Sequence, residues 1–401
     1  MPQIYLDNAS TSFPKPPTVA AAVYQYMTEM GSNINRGSYD GAYAVEDAVF
    51  NARRLLCDFF GAEDAKNVVF TKNVTEAINI IIKGLLQPGD HVLVSAMEHN
   101  AVMRPLQLLG RELAADEEAP QNAITFSRIP CDEEGNLLTE YLSKLVRKNT
   151  KAVIMTHGSN VCGTLLPIEE VGKFCRKNNL FFVVDSAQTA GVFPIDMQRM
   201  YIDAVAFTGH KSLLGPQGIG GFVLAEKIID KIKPLIVGGT GSISHTENTP
   251  RFMPDKFEAG TLNLPGIIGL AAGVRWLQEQ GMKKLREHEL ALTQQFLSGV
   301  EVYEARGLLK IIGKKNCCRR TGVVSLALTK GDNALAAQLL AQKYGIAMRV
   351  GLHCAPNAHK TLRTYPAGTL RFSFGWHNTP QDVQAALSAL GEIVAQMQSA
   401  D

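Results

Sequence analysis

The chain has 401 residues, of which 46% are hydrophobic and 19% are charged, so it can form two domains with a large core. Its formal net charge of +2 gives no argument for a nucleic-acid partner or an anionic membrane, and no apolar run reaches the roughly 20 residues of a membrane helix. The first ten residues lack a signal-peptide pattern, and the seven cysteines are scattered without a C-x-x-C pair. We therefore expect a cytoplasmic protein with neither a disulfide framework nor a metal site.

Predicted helices at 18–30 and 45–60 flank a polar, turn-rich stretch at 32–43, which is long enough to favour a functional loop. Short apolar runs then alternate with helical segments. The runs are residues 67–70, 91–95, 123–129, 151–155, 180–184, 204–207 and 220–225. Runs without polar alternation are typical of strands buried on both faces of a mostly parallel sheet. Because ligands bind at the carboxyl ends of such strands, the residues after each run are candidates for a site.

Polar side chains follow five of these seven runs. They are Thr75, His99, Asn160, Asp185 with Gln188, and His210 with Lys211. Thr75 lies in the first turn of a helix that Asn73 and Glu76 are placed to cap, where free N–H groups suit a phosphate. Asp185 ends an apolar run and needs a cationic or hydrogen-bonding partner. Each residue alone also has an ordinary explanation, such as a capped helix without ligand or a hydrogen-bonded structural histidine.

Lys211 lies just past the end of a buried strand, in the stretch TGHKSLLGPQGIGG. Packing explains a flexible, hydrated lysine poorly at this place, whereas an amine nucleophile that forms a Schiff base with a carbonyl compound explains it well. The four later glycines of the stretch would let the backbone pass close to a bulky ligand. The alternative is a surface lysine beside an ordinary glycine turn.

Together, these strand ends suit a ligand with an anionic phosphate, a flat ring, a protonated ring nitrogen and a carbonyl group. Pyridoxal 5′-phosphate has all four features, and a Schiff-base lysine with an aspartate at the ring nitrogen is its usual protein signature. A nucleotide would require a Walker loop or a G-x-G-x-x-G turn after the first strand, and neither motif is present. The sequence therefore predicts pyridoxal phosphate as the cofactor.

After residue 240 the pattern changes to that of a smaller α+β domain. Predicted helices cover 267–280, 283–303 and 380–398, and predicted strands cover 321–328 and 368–375. A basic run at 314–320 contains Cys317 and Cys318. We interpret this run as a solvated strand edge, with a functional thiol pair as the alternative.

Cys354 lies in a loop with glycine, proline and histidine residues, and Arg349 and His353 are close by in the sequence. Such surroundings favour a thiolate over a thiol, and an ordinary buried cysteine is the alternative. Arg371 interrupts the last apolar strand, and its guanidinium is suited to bidentate capture of a carboxylate. The small domain therefore supplies a candidate nucleophile and a candidate site for the substrate carboxylate.

At this point the sequence resembles the class V aminotransferase family of pyridoxal-phosphate enzymes and, within it, the cysteine desulfurases. The matching stretches are YLDNAST, NINRGSY, KNVTEAIN, MEHNAV, GSNVCGT, VVDSAQTAG, TGHKSLLGPQGIGG, FEAGTLN, RVGLHCAP and LRFSFGWHNT. The compact loop around Cys354 resembles the second desulfurase group, which is SufS-like and selenocysteine-lyase-like. The resemblance implies an α/β protein of fold type I, aspartate aminotransferase-like, that forms a homodimer. Its large domain spans 16–262, and its small α+β domain combines 1–15 with 263–401.

The resemblance assigns the cofactor site to Val74, Thr75, His99, Asp185, Gln188, Thr208, His210, Lys211 and Thr261. Lys211 is the Schiff-base lysine, Asp185 pairs with the ring nitrogen, and His99 stacks on the ring. Thr261 reaches the phosphate of the other subunit. Val74 departs from the family, because many members have a hydroxyl residue at this position and valine offers only its backbone N–H.

The resemblance further implies that Asn160, Arg349 and Arg371 bind the substrate, and that Cys354 acts with Lys211 as a catalytic residue, as does His99. The expected reaction converts L-cysteine to L-alanine and leaves the sulfur on Cys354 as a persulfide, which a sulfur-acceptor protein then receives. One alternative is a selenocysteine lyase or another class V lyase or aminotransferase. A second is a non-catalytic binding protein on the same fold, which would have no need of these side chains.

Overall fold

The computed structural model describes residues 4–34, 37, 39–114 and 122–399. The strands in this part are β1 Ile4–Tyr5, β2 Val68–Thr71, β3 His91–Ser95, β4 Thr125–Ile129, β5 Thr150–Thr156, β6 Phe181–Asp185, β7 Ala204–Thr208, β8 Gly220–Leu224, β9 Leu309–Ile312, β10 Val323–Leu328, β11 Ile346–Ala347, β12 Arg349–Gly351 and β13 Thr369–Ser373. The helices are α1 Pro17–Gln25, α2 Asp40–Phe60, α3 Val74–Leu85, α4 Asn100–Ala114, α5 Leu142–Leu145, α6 Ile168–Lys177, α7 Glu226–Ile229, α8 Leu264–Gln280, α9 Met282–Ala305, α10 Asn333–Tyr344, α11 Pro356–Thr361 and α12 Pro380–Ser399. Among the helices of these residues, none is both long enough and apolar enough to cross a membrane.

The seven predicted apolar runs form one seven-stranded sheet in the order β2-β8-β7-β6-β5-β3-β4. All neighbouring strands are parallel except β8, which is antiparallel to both β2 and β7. The prediction of a mostly parallel sheet is therefore confirmed. Its parallel strands share one carboxyl edge, which collects the polar residues that follow each strand.

Both faces of this sheet are covered, as the apolar runs predict. Phe182 and Val184 of β6 pack in a cluster with α2, α6 and α8, whereas Val183 between them packs in a second cluster with α3, α4 and α7. Successive side chains of a strand point to opposite faces, so a run without polar residues buries both sides. Each fully buried side chain of this size contributes about 1.5–3 kcal/mol to stability.

The start of α3 confirms the predicted cap. The Asn73 side chain accepts a hydrogen bond from the Glu76 backbone N–H at 3.0 Å, and the Glu76 carboxylate accepts one from the Lys72 N–H at 2.6 Å. The first bond satisfies an N–H group that a helix start leaves without a partner, and the second ties the residue before the cap to the first turn. They fix where α3 begins, directly after β2 at the carboxyl edge of the sheet.

The smaller sheet has four antiparallel strands in the order β12-β13-β10-β9. One face carries Leu326 of β10 and Leu370 and Phe372 of β13, which pack against α9 and α12. The opposite face carries polar side chains, among them Ser325 and Arg371, which are register partners. Apolar and polar residues alternate along these strands, which gives the sheet one apolar and one polar face. The polar face can contribute side chains to a site.

Residues 4–15 pack against the small domain although they come first in the chain. β1 pairs in parallel with β11 as a separate two-stranded sheet, and Asp7 forms an isolated bridge with Ser373, the last residue of β13. The backbone N–H of Ser12 then donates to the carbonyl of His210 in the Lys211 loop at 3.0 Å. This segment therefore touches both the small sheet and the carboxyl edge of the large one.

Two predictions need comment. The basic run 314–320 is a set of turns between β9 and β10, so its assignment as a solvated strand edge is wrong. Arg320 is buried there and donates to backbone carbonyls, including that of Val323 at 2.5 Å, which the exposed neighbours in the sequence do not reveal. The predicted functional loop at 32–43 lies partly outside the described residues, and α2 already begins at Asp40.

Candidate active site

Lys211 lies three residues beyond β7, at the carboxyl edge of the large sheet. Its backbone carbonyl accepts a hydrogen bond from the Ser12 hydroxyl at 2.9 Å, which holds the loop to the amino-terminal segment. Burial lowers the pKa of Lys211 to about 8, an effect that the nearby Asp185 carboxylate opposes. A fraction of the amine is therefore unprotonated near neutral pH, as a nitrogen nucleophile requires.

Asp185 ends β6 and is buried. Its Oδ1 accepts a hydrogen bond from the Ala187 N–H at 2.9 Å. Burial raises the pKa of Asp185, and the hydrogen bond and the charge of Lys211 partly offset that rise. A carboxylate in these surroundings gains from a second positive or hydrogen-bond-donating group beside it.

His99 follows β3 and is held in one neutral form. The Ala101 backbone N–H donates to its Nδ1 at 3.0 Å, so Nδ1 carries the lone pair and Nε2 carries the hydrogen. Burial lowers the pKa of His99 to about 4, helped by the positive charge of Lys211. Above that pH the ring is an uncharged donor, which can stack on a flat ligand without adding a second charge.

Glu98, next to His99, had no role in the sequence analysis. It is buried and accepts hydrogen bonds from the Ser95 hydroxyl at 2.5 Å and from the Thr156 N–H at 3.0 Å. Burial raises the pKa of Glu98 to about 8, so it is mostly protonated at neutral pH. The side chain therefore ties the end of β3 to the end of β5 and fixes the strand end that carries His99.

Two buried polar atoms near Lys211 have no partner within the described protein. They are the hydroxyl oxygen of Thr208 and Nδ1 of His210. Leaving buried polar atoms unpaired costs about 1–3 kcal/mol each. The first turn of α3, with Val74 buried and Thr75 exposed, begins at the same edge and offers free N–H groups. Together these groups suit an anionic ligand with several oxygen atoms.

The glycines after Lys211 have a different use from the predicted one. A Cβ atom added to Gly220 would lie 2.8 Å from Cα of Asn73, and one added to Gly221 would lie 2.3 Å from the carbonyl oxygen of Val69. Glycine is required here because β8 lies against β2 and the start of α3. The close approach is therefore between two parts of the protein. A run of glycines in the sequence is equally compatible with a close approach to a ligand, so the sequence alone does not separate the two cases.

Two predicted amide side chains already have partners in the protein. The Gln188 amide donates to the Ala9 carbonyl at 3.1 Å, and Asn160 Nδ2 donates to the His353 carbonyl at 2.7 Å. The Asn160 carbonyl in turn accepts a hydrogen bond from Arg371 Nη1 at 2.9 Å. Asn160 therefore links the Arg371 side chain to the loop that carries Cys354.

Arg371 and Arg349 are register partners on β13 and β12, a like-charge pair that is unfavourable on its own. The buried Arg371 guanidinium donates through Nη2 to the Asp7 carboxylate at 2.9 Å and to the Ser10 hydroxyl at 2.8 Å. Arg349 also donates to Ser10, at 2.9 Å, and Arg371 Nε has no partner among the residues that the structure describes. The two guanidinium groups thus share the Ser10 hydroxyl, and the Asp7 carboxylate is paired with Arg371, which leaves positive charge for a second anion.

Cys354 is exposed, in a loop that reaches the start of α4. The Asn100 backbone N–H donates to the Cys354 carbonyl at 2.8 Å, so the thiol-bearing loop lies next to the strand end that carries His99. Thr261 is exposed and lies elsewhere, in a groove of about 1350 Å³ that is also bordered by Phe50 and Phe252. The structure therefore brings Cys354 to the other candidates and places Thr261 apart from them.

The amino-terminal segment supplies site residues that the sequence analysis missed. Asp7 and Ser10 hold the two arginines, and Lys15 donates to the His210 carbonyl at 2.5 Å. Burial lowers the pKa of Lys15 to about 8. The stretch YLDNAST does place a carboxylate and hydroxyls in a turn directly after two apolar residues, which is the signal that could have indicated them.

Comparison with known proteins relates this whole chain to one family. The sequence model described as aminotransferase class-V matches residues 4–386. A probable cysteine desulfurase of Pyrococcus abyssi (strain GE5 / Orsay) is 32% identical over 403 residues, covering 99% of this chain and 95% of its own length. A cysteine desulfurase of Haloferax volcanii is 31% identical over 398 residues, covering 97% of this chain and 89% of its own length.

Solved structures give the same relation. The apo structure of a cysteine desulfurase from Thermococcus onnurineus NA1 has a TM-score of 0.89 at 31% identity, covering 98% of this chain and 95% of that one. The cysteine desulfurase CsdA (S-sulfonic acid) from Escherichia coli has a TM-score of 0.84 at 28% identity over the same shares. The similarity thus extends over both sheets.

Proposed function

This chain belongs to the class V aminotransferase family, and from that premise we propose that it is a pyridoxal-phosphate-dependent cysteine desulfurase. The net reaction takes L-cysteine and the thiol of Cys354 to L-alanine and a persulfide on Cys354. The carbon–sulfur bond of the substrate breaks, a sulfur–sulfur bond forms, and the displaced sulfur is replaced at the substrate β-carbon by hydrogen.

The described residues fit pyridoxal phosphate. The unpaired Thr208 hydroxyl, the unpaired His210 Nδ1 and the start of α3 suit its phosphate, and Asp185 is a buried carboxylate that gains from a protonated ring nitrogen. The residues proposed to hold it are Val74, Thr75, His99, Asp185, Gln188, Thr208, His210 and Lys211. When bound, the cofactor supplies an electron sink for the carbanion formed at the substrate α-carbon.

The side chains of the chain itself divide the remaining work. Lys211 Nζ, with its lowered pKa, is the group that takes and returns the α-proton. The Arg371 guanidinium, assisted by Arg349 and Asn160, binds the substrate carboxylate and fixes its orientation. The Cys354 thiolate attacks the substrate sulfur, because a thiolate is the strongest nucleophile available at neutral pH.

One observation carries the proposal. Asn160 accepts from Arg371 through its backbone carbonyl and donates through its side chain to the His353 carbonyl, next to Cys354. A carboxylate-binding cation and an exposed thiol thus share one buried residue, beside the lysine of a pyridoxal-phosphate site. An aminotransferase needs the lysine and the arginine but has no use for the thiol.

The test replaces Cys354 and compares it with a cysteine of similar exposure. We expect Cys354→Ser to retain pyridoxal phosphate but to release alanine from L-cysteine at least about 10²-fold more slowly, since serine is a poor nucleophile near pH 7. Cys318→Ser, which alters the other exposed cysteine, should behave as the unaltered protein. Mass spectrometry should find one added sulfur on the peptide containing Cys354 after treatment with L-cysteine.

Other outcomes would contradict the proposal. Added sulfur on Cys317 or Cys318, or normal desulfuration by Cys354→Ser, would show that Cys354 is not the nucleophile. Alanine release from selenocysteine but not from L-cysteine would identify a selenocysteine lyase. Each assay measures alanine with and without a reductant, because a thiol is needed to release the persulfide sulfur.

The same proposal includes the assembly and surroundings of the enzyme. We place it in the cytoplasm, with a sulfur-acceptor protein as partner, and divide it into a large domain at 16–262 and a small domain at 1–15 and 263–401. We propose a homodimer in which Thr261 reaches the phosphate site of the other subunit; the groove beside Thr261 and the exposed Phe50 and Phe252 support it. A fully active monomer in analytical ultracentrifugation would refute the shared site.

A further inference from the structure

The turn that carries Cys354 has an unusual backbone. His353 has φ of 47° and Cys354 has φ of 58°, both in the left-handed region that residues other than glycine rarely adopt. Two such residues in succession persist only where the surroundings hold them. The Ala355 N–H closes the turn on the Leu352 carbonyl at 2.9 Å, and the external hydrogen bonds from Asn100 and Asn160 hold its carbonyls.

The His353 ring supplies a further hold from inside the protein. It is buried, and its Nε2 lies 3.0 Å from the hydroxyl oxygen of Thr369. The Thr369 hydroxyl lies 3.2 Å from that of Ser325, which lies 2.6 Å from the Val161 carbonyl oxygen. These four groups form an unbroken buried chain from the turn to the polar face of the small sheet.

The end of this chain fixes the direction of every bond in it. A carbonyl can only accept, so Ser325 must donate its single hydrogen to Val161. Ser325 then accepts from Thr369, and Thr369 in turn accepts from His353. His353 Nε2 therefore carries the hydrogen, and Nδ1 carries a lone pair that has no partner among the described residues. The tautomer follows from the connectivity alone.

The ring is a neutral donor rather than a base for the thiol. Burial lowers the pKa of His353 to about 2, and the positive charge of Arg371 adds to that effect. From the sequence, His353 is predicted to be a neighbour that favours the thiolate. The buried chain points to another use, because a neutral ring with its N–H directed to Thr369 neither takes the thiol proton nor offers it a positive charge.

We propose that His353 is a positioning residue, which holds the left-handed Cys354 turn through the buried chain of Thr369, Ser325 and the Val161 carbonyl. The inference rests on the proposed function, since it concerns the presentation of the Cys354 thiol to substrate sulfur. Ser325 and Arg371 are register partners on the same face of the small sheet. The turn and the carboxylate-binding arginine are thereby built on one rigid surface, which fixes their mutual geometry.

The test removes the hydroxyl at the middle of the chain and restores it with a matched variant. Thr369→Val keeps the shape of the side chain but leaves the His353 N–H without an acceptor, whereas Thr369→Ser keeps the hydroxyl. We expect Thr369→Val to lower kcat for L-cysteine by roughly 10–10²-fold, the effect of about 1 Å of misplacement, with KM within about twofold. Thr369→Ser should retain most of kcat.

A second pair of variants separates the hydrogen bond from the backbone preference. His353→Asn tolerates the left-handed conformation, but its amide is too short to reach Thr369, and it should lose kcat as Thr369→Val does. His353→Gln has an amide nitrogen at about the distance of Nε2 and should recover part of the loss. If the His353→Asn variant is as active as the unaltered protein, the hydrogen bond from His353 to Thr369 has no positioning role and the inference is wrong.

Hydrogen–deuterium exchange of the holoenzyme without substrate gives a readout that does not depend on desulfuration. Backbone amides of 352–356 should exchange faster in Thr369→Val and His353→Asn than in the unaltered protein, and Thr369→Ser should not differ. Unchanged exchange in Thr369→Val, or faster exchange with unchanged kcat, would overturn the inference. If the unaltered protein releases no alanine from L-cysteine, the proposed function fails, and the positioning of the thiol for that reaction fails with it. Faster exchange in Thr369→Val would still show that the buried hydrogen-bond chain holds the turn.

Discussion

The two sheets differ in how far the polar groups that they contribute to the candidate site are already hydrogen-bonded within the protein. At the edge of the large sheet, Thr208 and His210 have buried polar atoms without a partner in the described part of the chain, and the pKa values of Asp185 and Lys211 are both shifted towards the uncharged forms. On the small sheet, Arg371 makes three hydrogen bonds to other described residues, and its Nε has no partner among them. The first half is built to be completed by a bound group, and the second is held in place by the protein itself.

This difference indicates how the site divides its tasks. A group that binds once and stays can supply the missing partners of the large-sheet residues permanently. A substrate that enters and leaves in every cycle needs a subsite that keeps its geometry when empty, because reorganisation at each turnover lowers the rate. The Asp7 carboxylate and the Ser10 hydroxyl provide that geometry for Arg371.

The largest effect is expected from Lys211→Ala on the large-sheet side. The lysine is the proposed attachment point of the cofactor and the base for the α-proton, so alanine release should fall by at least about 10³-fold. The bound cofactor should also lose its covalent link, which borohydride reduction followed by peptide mapping measures. A borohydride-stable label on another lysine of the unaltered protein would remove Lys211 from this role and weaken the contrast between the two halves.

Replacing Arg371 on the small-sheet side should give a different kinetic signature. Arg371→Ala removes a charge-assisted pair worth about 1.5–3 kcal/mol, so KM for L-cysteine should rise by roughly 10–10²-fold while the cofactor absorbance stays unchanged. Arg371→Lys keeps the charge without the planar fork and should recover only part of the affinity.

The Arg371 variants need a control for the partner that they leave behind. Arg371→Ala leaves the Asp7 carboxylate without its cationic partner, and Asp7→Asn in the same protein removes that negative charge. If the double variant binds cysteine as the unaltered protein does, then Arg371 is not the carboxylate site. A loss of cofactor from Arg371→Ala would show that the two halves are not separable.

The smallest effect concerns Glu98, below the large-sheet edge. Its pKa is raised from 4.5 to about 8 by burial, so the folded protein keeps a proton that the unfolded chain releases. This contribution to stability is complete below pH 4.5 and is lost as the pH rises to about 8. Glu98→Gln removes the dependence, so its melting temperature relative to the unaltered protein should rise by about 4 °C between pH 5 and pH 8. A difference that is constant with pH would show that Glu98 does not titrate in this range.

The large-sheet half was largely predictable from the sequence, for a physical reason. Parallel strands place their carboxyl ends at one edge, so a residue one to four positions after an apolar run can be assigned to that edge without knowing the strand order. His99, Asp185 and Lys211 each follow this rule. The same locality applies to the Asn73 cap, whose partner Glu76 is three residues away.

The small-sheet half was less predictable because its contacts are distant in sequence. Nothing near Asp7 indicates that it pairs with Arg371, and nothing near Thr369 indicates the buried chain to His353. Asn160 is predicted at the substrate carboxylate, and nothing near it in the sequence indicates that its side chain also donates to the His353 carbonyl of the Cys354 turn. Such assignments depend on the register of antiparallel strands, which the hydrophobic pattern of single strands does not give.

The pairing of Asp7 with Arg371 also has a consequence for how the protein is made. The two residues are 364 positions apart, and translation adds about 5–20 residues per second. Asp7 is therefore synthesised roughly 20–70 s before its partner exists. The last strand of the large sheet ends at Leu224, so this sheet can form on the nascent chain well before the substrate subsite does. The proposed substrate subsite can therefore be completed only after β13 has been synthesised and Arg371 can pair with Asp7 near the start of the chain.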